Sequence, residues 1–112
     1  MRLLPSKKAV GRINVPPDKS ISHRALMMCS MCSGISVVHN LLESEDTLRT
    51  FRMIGELGGV FRGGFDRMEI SSASWRESPR PLDCGNSGTT ARLITGVLSG
   101  KEGFHVLFGD DS

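Results

Sequence analysis

A chain of 112 residues, 38% hydrophobic and 23% charged, is long enough for one core and too rich in apolar residues to stay disordered, yet too short to hold most large enzymes whole. Its longest apolar run, Ala25 to Cys32 broken only by Ser30, cannot cross a bilayer, and no signal-peptide core precedes the polar stretch at 12–20, so a cytoplasmic protein with three reduced cysteines is expected. Residues 1–24 carry Arg2, Lys7, Lys8, Arg12, Lys19 and Arg24 against Asp18 alone, a local +5 in a chain of formal net charge +2; with no Tyr and one Trp to stack on bases, that potential points away from nucleic acid and membrane and towards a small phosphorylated or carboxylated ligand.

Val10, Ile13 and Val15 suggest a short strand, stopped by Pro16-Pro17. Ser20 or Ser22 then suits a helix N-cap, and Ala25 to Cys32 is apolar nearly all round, which predicts a buried helix ending at Gly34. Ile35 to His39 is rich in β-branched residues and reads as a strand. Ser44-Glu45-Asp46 supplies a cap and an acidic first turn for a second helix, with Leu48, Phe51, Ile54 and Leu57 on one face and Gly58-Gly59 as its stop. Val60–Arg62 and Arg67–Ser71 read as strands joined by a Gly63-Gly64 turn, followed by a polar loop at 72–81 that holds Trp75. Ala91, Ile94, Val97 and Leu98 form a helical stripe closed by Gly100, and Phe104, Val106 and Phe108 alternate as a last strand. Helices and strands interleave in this order in α/β or α+β folds.

Two loops carry the chemistry. Asp18-Lys19-Ser20-Ile21-Ser22-His23-Arg24 gathers cations and hydroxyls at a helix opening, where free N–H groups and the dipole favour an anion. Gly85-Asn86-Ser87-Gly88-Thr89-Thr90 combines glycines that admit close backbone approach with hydrogen-bond donors, and Arg92 adds a cation one turn on; it is neither a Walker loop nor a GxGxxG fingerprint. By spacing alone, a solvated basic turn and a capped helix fit the two segments equally well. Cys29 and Cys32 form a CxxC in an apolar helix without a second pair, so buried packing is favoured over zinc or redox chemistry. His23, His39 and His105 show no metal-ligand spacing and read as structural, Asp46 as a first-turn carboxylate, and the six methionines as core filler.

Pro17-Asp18-Lys19-Ser20-Ile21-Ser22-His23-Arg24-Ala25 resembles the PGDKSISHRA segment of the 5-enolpyruvylshikimate-3-phosphate synthase family. Ser44-Glu45-Asp46-Thr47 is similar to its SED turn, Leu82 to Arg92 to its LDCGNSGTTxR segment, and Gly109-Asp110-Asp111-Ser112 to the start of its GDxSLxxRPM loop. The related UDP-N-acetylglucosamine enolpyruvyl transferases carry a KNAALP-like segment where this chain has Lys19 to Arg24, and fit less well.

The resemblance implies enolpyruvyl transfer from phosphoenolpyruvate to the 5-hydroxyl of shikimate 3-phosphate, with release of phosphate and without metal or organic cofactor. It implies that Lys19 touches both substrates, that Ser20 and Arg24 bind shikimate 3-phosphate, and that Gly88 brings a backbone N–H to phosphoenolpyruvate. Asn86, Thr89 and Arg92 would shape that second pocket, with Asp46 nearby. Family members are several times longer, monomeric, and built from βαβαββ units in two domains. Residues 1–18 would then belong to the opposite domain and 19–112 to a partial N-terminal domain, inactive alone. The Pro16-Pro17 pair departs from the family by stiffening the step before Lys19. A free-standing anion-binding module, or a non-catalytic interaction domain, is the alternative.

Overall fold

The computed structural model describes residues 8–71 and 74–111. Arg2, Lys7, Ser112 and the start of the 72–81 loop fall outside the described residues.

The strand expected around Val10 to Val15 does not form: residues 8–18 have no regular structure, with Val10 and Ile13 exposed. A strand is held by a ladder to a neighbour, and no strand among the described residues forms a ladder with this segment.

Helix α1 (Lys19–Met31) starts two residues earlier than a Ser20 cap would set it and four earlier than a Ser22 cap. Asp18 is its N-cap, accepting the Ile21 N–H at 2.8 Å. Ser22 is buried instead, donating to the Asp18 carbonyl at 2.7 Å and accepting the Leu42 N–H at 2.9 Å, so it pins the approach to the next helix. The helix is not buried all round. Ser22, His23, Leu26, Met27 and Ser30 face inward, whereas Ile21, Met28 and Met31 are exposed. Cys32 is the exposed C-cap and Cys29 is half-buried, so the packing role expected of the pair is lost for Cys32, which lies past the last helical turn.

Gly34, at φ +96°, turns the chain into β1 (Ile35–His39). Helix α2 (Glu45–Glu56) opens on Ser44, whose hydroxyl and that of Thr47 exchange bonds with each other's backbone N–H, and its first turn carries Glu45 and Asp46. It closes with Gly58 N–H on the Gly55 carbonyl and Gly59 N–H on the Ile54 carbonyl, a left-handed stop that requires Gly58 at φ +107°. Its buried face is Thr47, Thr50, Met53 and Ile54, rotated from the expected stripe; Leu48 and Phe51 are only half-buried.

Strands β2 (Val60–Gly64) and β3 (Arg67–Ser71) form a hairpin around Phe65-Asp66, not around the glycines. Gly63 lies inside the strand at φ +94°, where a Cβ would overlap the Arg67 carbonyl. The antiparallel sheet has the order β1-β3-β2, so β3 is central. Its Met68 and Ile70 pack with Leu26 and Met27 of α1 and with Met53, Ile54 and nearby Leu57, each fully buried aliphatic side chain contributing about 1.5–3 kcal/mol.

A second unit follows. Strand β4 (Leu82–Asp83) pairs in parallel with β5 (Leu107–Phe108) across helix α3 (Gly88–Leu98), whose Ile94 and Leu98 extend the core. The last strand is shorter than the alternation from Phe104 suggests, since only the two residues opposite β4 are paired and Phe104 is exposed. The fold is a mixed helix and strand architecture of the α/β type. No helix among the described residues is long and apolar enough to cross a membrane.

Candidate anion-binding site

The first turns of the three helices meet. Lys19, the first residue of α1, places its ammonium 3.0 Å from the carboxylate of Asp46 in the first turn of α2. One turn along α1, His23 is fully buried, and its Nδ1 lies 2.8 Å from Thr50 Oγ1 on α2. Thr50 Oγ1 is 2.9 Å from Thr90 Oγ1 in the first turn of α3, and Thr90 Oγ1 is 2.7 Å from Ser87 Oγ, the N-cap of α3. A continuous file of buried polar groups therefore joins the segment around Lys19 to the segment around Gly88.

Each helix start is locally determined. Ser87 caps α3 by accepting the Thr90 N–H at 3.2 Å, so the helix begins at Gly88, three residues before the apolar stripe. Ahead of it, Asp83 accepts the Gly85 N–H at 2.7 Å and pairs with the Arg49 guanidinium at 2.8 Å. Gly85 adopts φ +49°, and a Cβ there would overlap the Arg49 guanidinium, so the turn needs glycine for both backbone and space. A Cβ on Gly88 would stand 3.0 Å from the Arg92 guanidinium, which lies close over the start of α3. Residues 84–88, Ala91 and residues 107–110 enclose a cavity of about 330 Å³ against these N–H groups.

Cations surround the junction. Arg24 folds back to donate to the Ser20 carbonyl at 3.2 Å, and among the described residues neither Arg24 nor Arg92 has a carboxylate partner. Gly88 is exposed, as are Ser20 and Asn86, and Thr89 is half-exposed; the side chains of Ser20, Asn86 and Thr89 make no hydrogen bond among the described residues. Of the expected site residues, Lys19 and Asp46 are paired with each other. Burial pushes the His23 pKa below its ordinary 6.5; Asp46 opposes the shift, and Lys19 and Arg24 reinforce it. The Cys84 thiol, on the cavity wall, is pushed upward by burial and then by the Asp83 charge, with Arg49 opposing.

Asp18 to Arg24 and Gly85 to Arg92 are thus neighbours through α2, although Lys19 and Gly85 stand 66 positions apart in the sequence. The sequence reading placed Ser87 and Thr90 in the second anion-seeking loop without individual roles, passed over Thr50, and took His23 as structural. The available signal was Thr47 and Thr50, hydroxyls three residues apart on what proves to be the buried side of α2.

The EPSP synthase (3-phosphoshikimate 1-carboxyvinyltransferase) family model matches residues 3–112. The chain belongs to this family. A 3-phosphoshikimate 1-carboxyvinyltransferase from Thermotoga neapolitana is 46% identical over 112 residues, all of this chain and 27% of that protein. The one from Streptococcus gordonii is 41% identical over 116 aligned positions, again covering 27% of its length. The solved EPSP synthase from Acinetobacter baumannii superposes with a TM-score of 0.83 at 34% identity, over 91% of this chain and 24% of that one. The chain therefore spans about a quarter of the length of the EPSP synthases it matches.

Proposed function

We propose that this chain forms the N-terminal part of a transferase that moves the enolpyruvyl group of phosphoenolpyruvate to the 5-hydroxyl of shikimate 3-phosphate. The observation that carries this reading is the meeting of three helix N-termini, ringed by Lys19, Arg24 and Arg92, in a chain of the EPSP synthase family. Helix N-termini and fixed cations suit phosphate and carboxylate groups, which both substrates bear.

Lys19 bridges the two substrates, Ser20 and Arg24 hold shikimate 3-phosphate, and the Gly88 N–H meets phosphoenolpyruvate. Asn86, Thr89 and Arg92 line the second pocket, and Asp46 orients Lys19. In the reaction the substrate hydroxyl adds to the central carbon of phosphoenolpyruvate while its methylene takes a proton. Loss of a proton from the resulting methyl group then expels phosphate and restores the double bond. Charge builds on the phosphate and carboxylate oxygens, where preorganised cations act most strongly. Because the chain spans about a quarter of its relatives' length, we assign the acid and base to parts of the protein beyond these 112 residues, which are expected to be inactive alone. We assign residues 1–18 to the opposite domain of the complete protein, which we take to be a cytoplasmic monomer.

The test is phosphate release by the full-length protein given both substrates, with Lys19→Met as the variant. Transfer in the wild type and a loss of about 10²–10³-fold in kcat for the variant are expected. Normal turnover by Lys19→Met would overturn the role of Lys19, and no transfer by the wild type would overturn the reading.

A further inference from the structure

The file from His23 to Ser87 has a direction. Every hydroxyl in it holds a single hydrogen, so a ring protonated on Nε2 needs all three hydroxyl hydrogens to make the contacts of 2.8, 2.9 and 2.7 Å, whereas a ring protonated on Nδ1 supplies a fourth hydrogen and frees one. If His23 Nδ1 carries the proton, it donates to Thr50, and the file can run on from Thr50 to Thr90 and from Thr90 to Ser87, which at 2.7 Å is a closer acceptor for the Thr90 hydrogen than the Asp46 carbonyl at 3.5 Å. Ser87 Oγ then accepts twice, from the Thr90 hydroxyl and the Thr90 N–H, and keeps its own hydrogen for another partner. If Nε2 carries the proton, the file reverses and the Ser87 hydrogen is consumed by Thr90.

The surroundings of His23 choose between the two. Its Nε2 is buried and has no hydrogen-bond partner among the described residues. The reversed file would bury an N–H without an acceptor, the costlier of the two orphans, whereas the forward file leaves only a lone pair. The ring is held neutral by burial, with Lys19 and Arg24 adding to the effect, so a doubly protonated imidazolium does not disturb the choice. Ser87, at the other end, lines the 330 Å³ cavity at the start of α3.

We propose that His23, Thr50 and Thr90 are positioning residues that orient the Ser87 hydroxyl as a hydrogen-bond donor to an anionic ligand in this cavity. The proposal rests on the reading that phosphoenolpyruvate occupies the Gly85–Thr90 loop, and it adds Ser87 as a direct contact and His23 as the group that sets its polarity. Thr50 and Thr90 act only through Ser87, so their effects must not add to its own.

Two measurements test it on the full-length protein. Calorimetric titration with phosphoenolpyruvate, with the second substrate left out so that no turnover occurs, compares the wild type with Thr50→Val, Ser87→Ala and the double variant. Each single change is expected to weaken binding about tenfold, and the double no further than Ser87→Ala alone. Thr50→Ser, which keeps the hydroxyl, is expected to restore wild-type affinity, separating the relay from loss of packing. Additive effects, or an unchanged affinity in Ser87→Ala, would overturn the proposal. Independently of any variant, nitrogen NMR of the His23 ring is expected to show the proton on Nδ1; a proton on Nε2 would overturn it even were Thr50→Val unable to fold. A wild type that binds neither substrate while His23 shows the Nδ1 proton would instead sink the enzyme reading and leave the file's direction standing.

Discussion

The Lys19 ammonium and the Asp46 carboxylate, 3.0 Å apart, tie the first turn of α1 to the first turn of α2. Lys19 is 49% exposed and Asp46 28%, so water screens the pair and its net contribution to stability is under about 1 kcal/mol. Its larger effect is on ligands, because an anion seeking Lys19 must share it with Asp46.

Asp46→Asn removes that competing charge while leaving an oxygen to receive the ammonium. Phosphoenolpyruvate is therefore expected to bind the full-length variant more tightly, by about two- to tenfold. Calorimetric titration checks this, alongside a denaturant curve that should move by less than about 1 kcal/mol. Weaker binding would mean that Asp46 serves chiefly to aim Lys19.

Gly85 is held by two constraints at once, a φ of +49° and the Arg49 side chain filling the space where a Cβ would go. Gly85→Ala is expected to cost about 1–3 kcal/mol, through backbone strain and displacement of Arg49 from Asp83. Urea unfolding measures it. Gly96→Ala is the control, since a Cβ there meets nothing within 4 Å and the residue sits inside α3, where alanine is expected to stabilise.

The three helices, β1 and the strands around the hairpin were legible because their signals are local: caps, apolar spacing and glycine stops. Local signals also misled. Ser20 and Ser22 both look like caps, but Asp18 reaches the Ile21 N–H first, and Ser22 is drawn inward by Leu42. The β4–β5 pair could not be read, since two residues make no pattern and the pairing joins Leu82 to Leu107 across a helix. Both anion-seeking loops were visible as motifs, while their union through Thr50 was not. A threonine on a helix face carries no local mark of the hydroxyl it will meet 40 residues later.

His23 gives stability a pH dependence of known sign. Its folded pKa lies below the ordinary 6.5, so below that pH the unfolded chain binds a proton that the folded chain refuses. The contribution is complete above 6.5 and is lost as pH falls from there towards the folded value. Denaturant curves of the full-length protein between pH 7.5 and 5.5, run with His23→Gln, check it. The wild type is expected to lose stability over this window with an extra slope of at most about 1.4 kcal/mol per pH unit, and the variant to lack that extra slope. Equal slopes in both would show that His23 titrates normally in the folded state.

The three thiols are expected to separate by reactivity. Cys32 is exposed at the end of α1, Cys29 is half-buried, and Cys84 is buried on the wall of the α3 cavity. Only a thiolate attacks an alkylating agent, and burial followed by the Asp83 charge keeps Cys84 in its thiol form. Iodoacetamide at pH 7.5, followed by peptide mass spectrometry of the full-length protein, should mark Cys32 first and Cys84 last. Asp83→Asn removes the second cause and releases Arg49, which favours the thiolate, so Cys84 should then react faster yet remain behind Cys32, because burial is the larger cause. Labelling of Cys84 at the rate of Cys32 in the wild type would mean that the cavity wall opens readily, and with it the turn that positions Gly85 and Ser87.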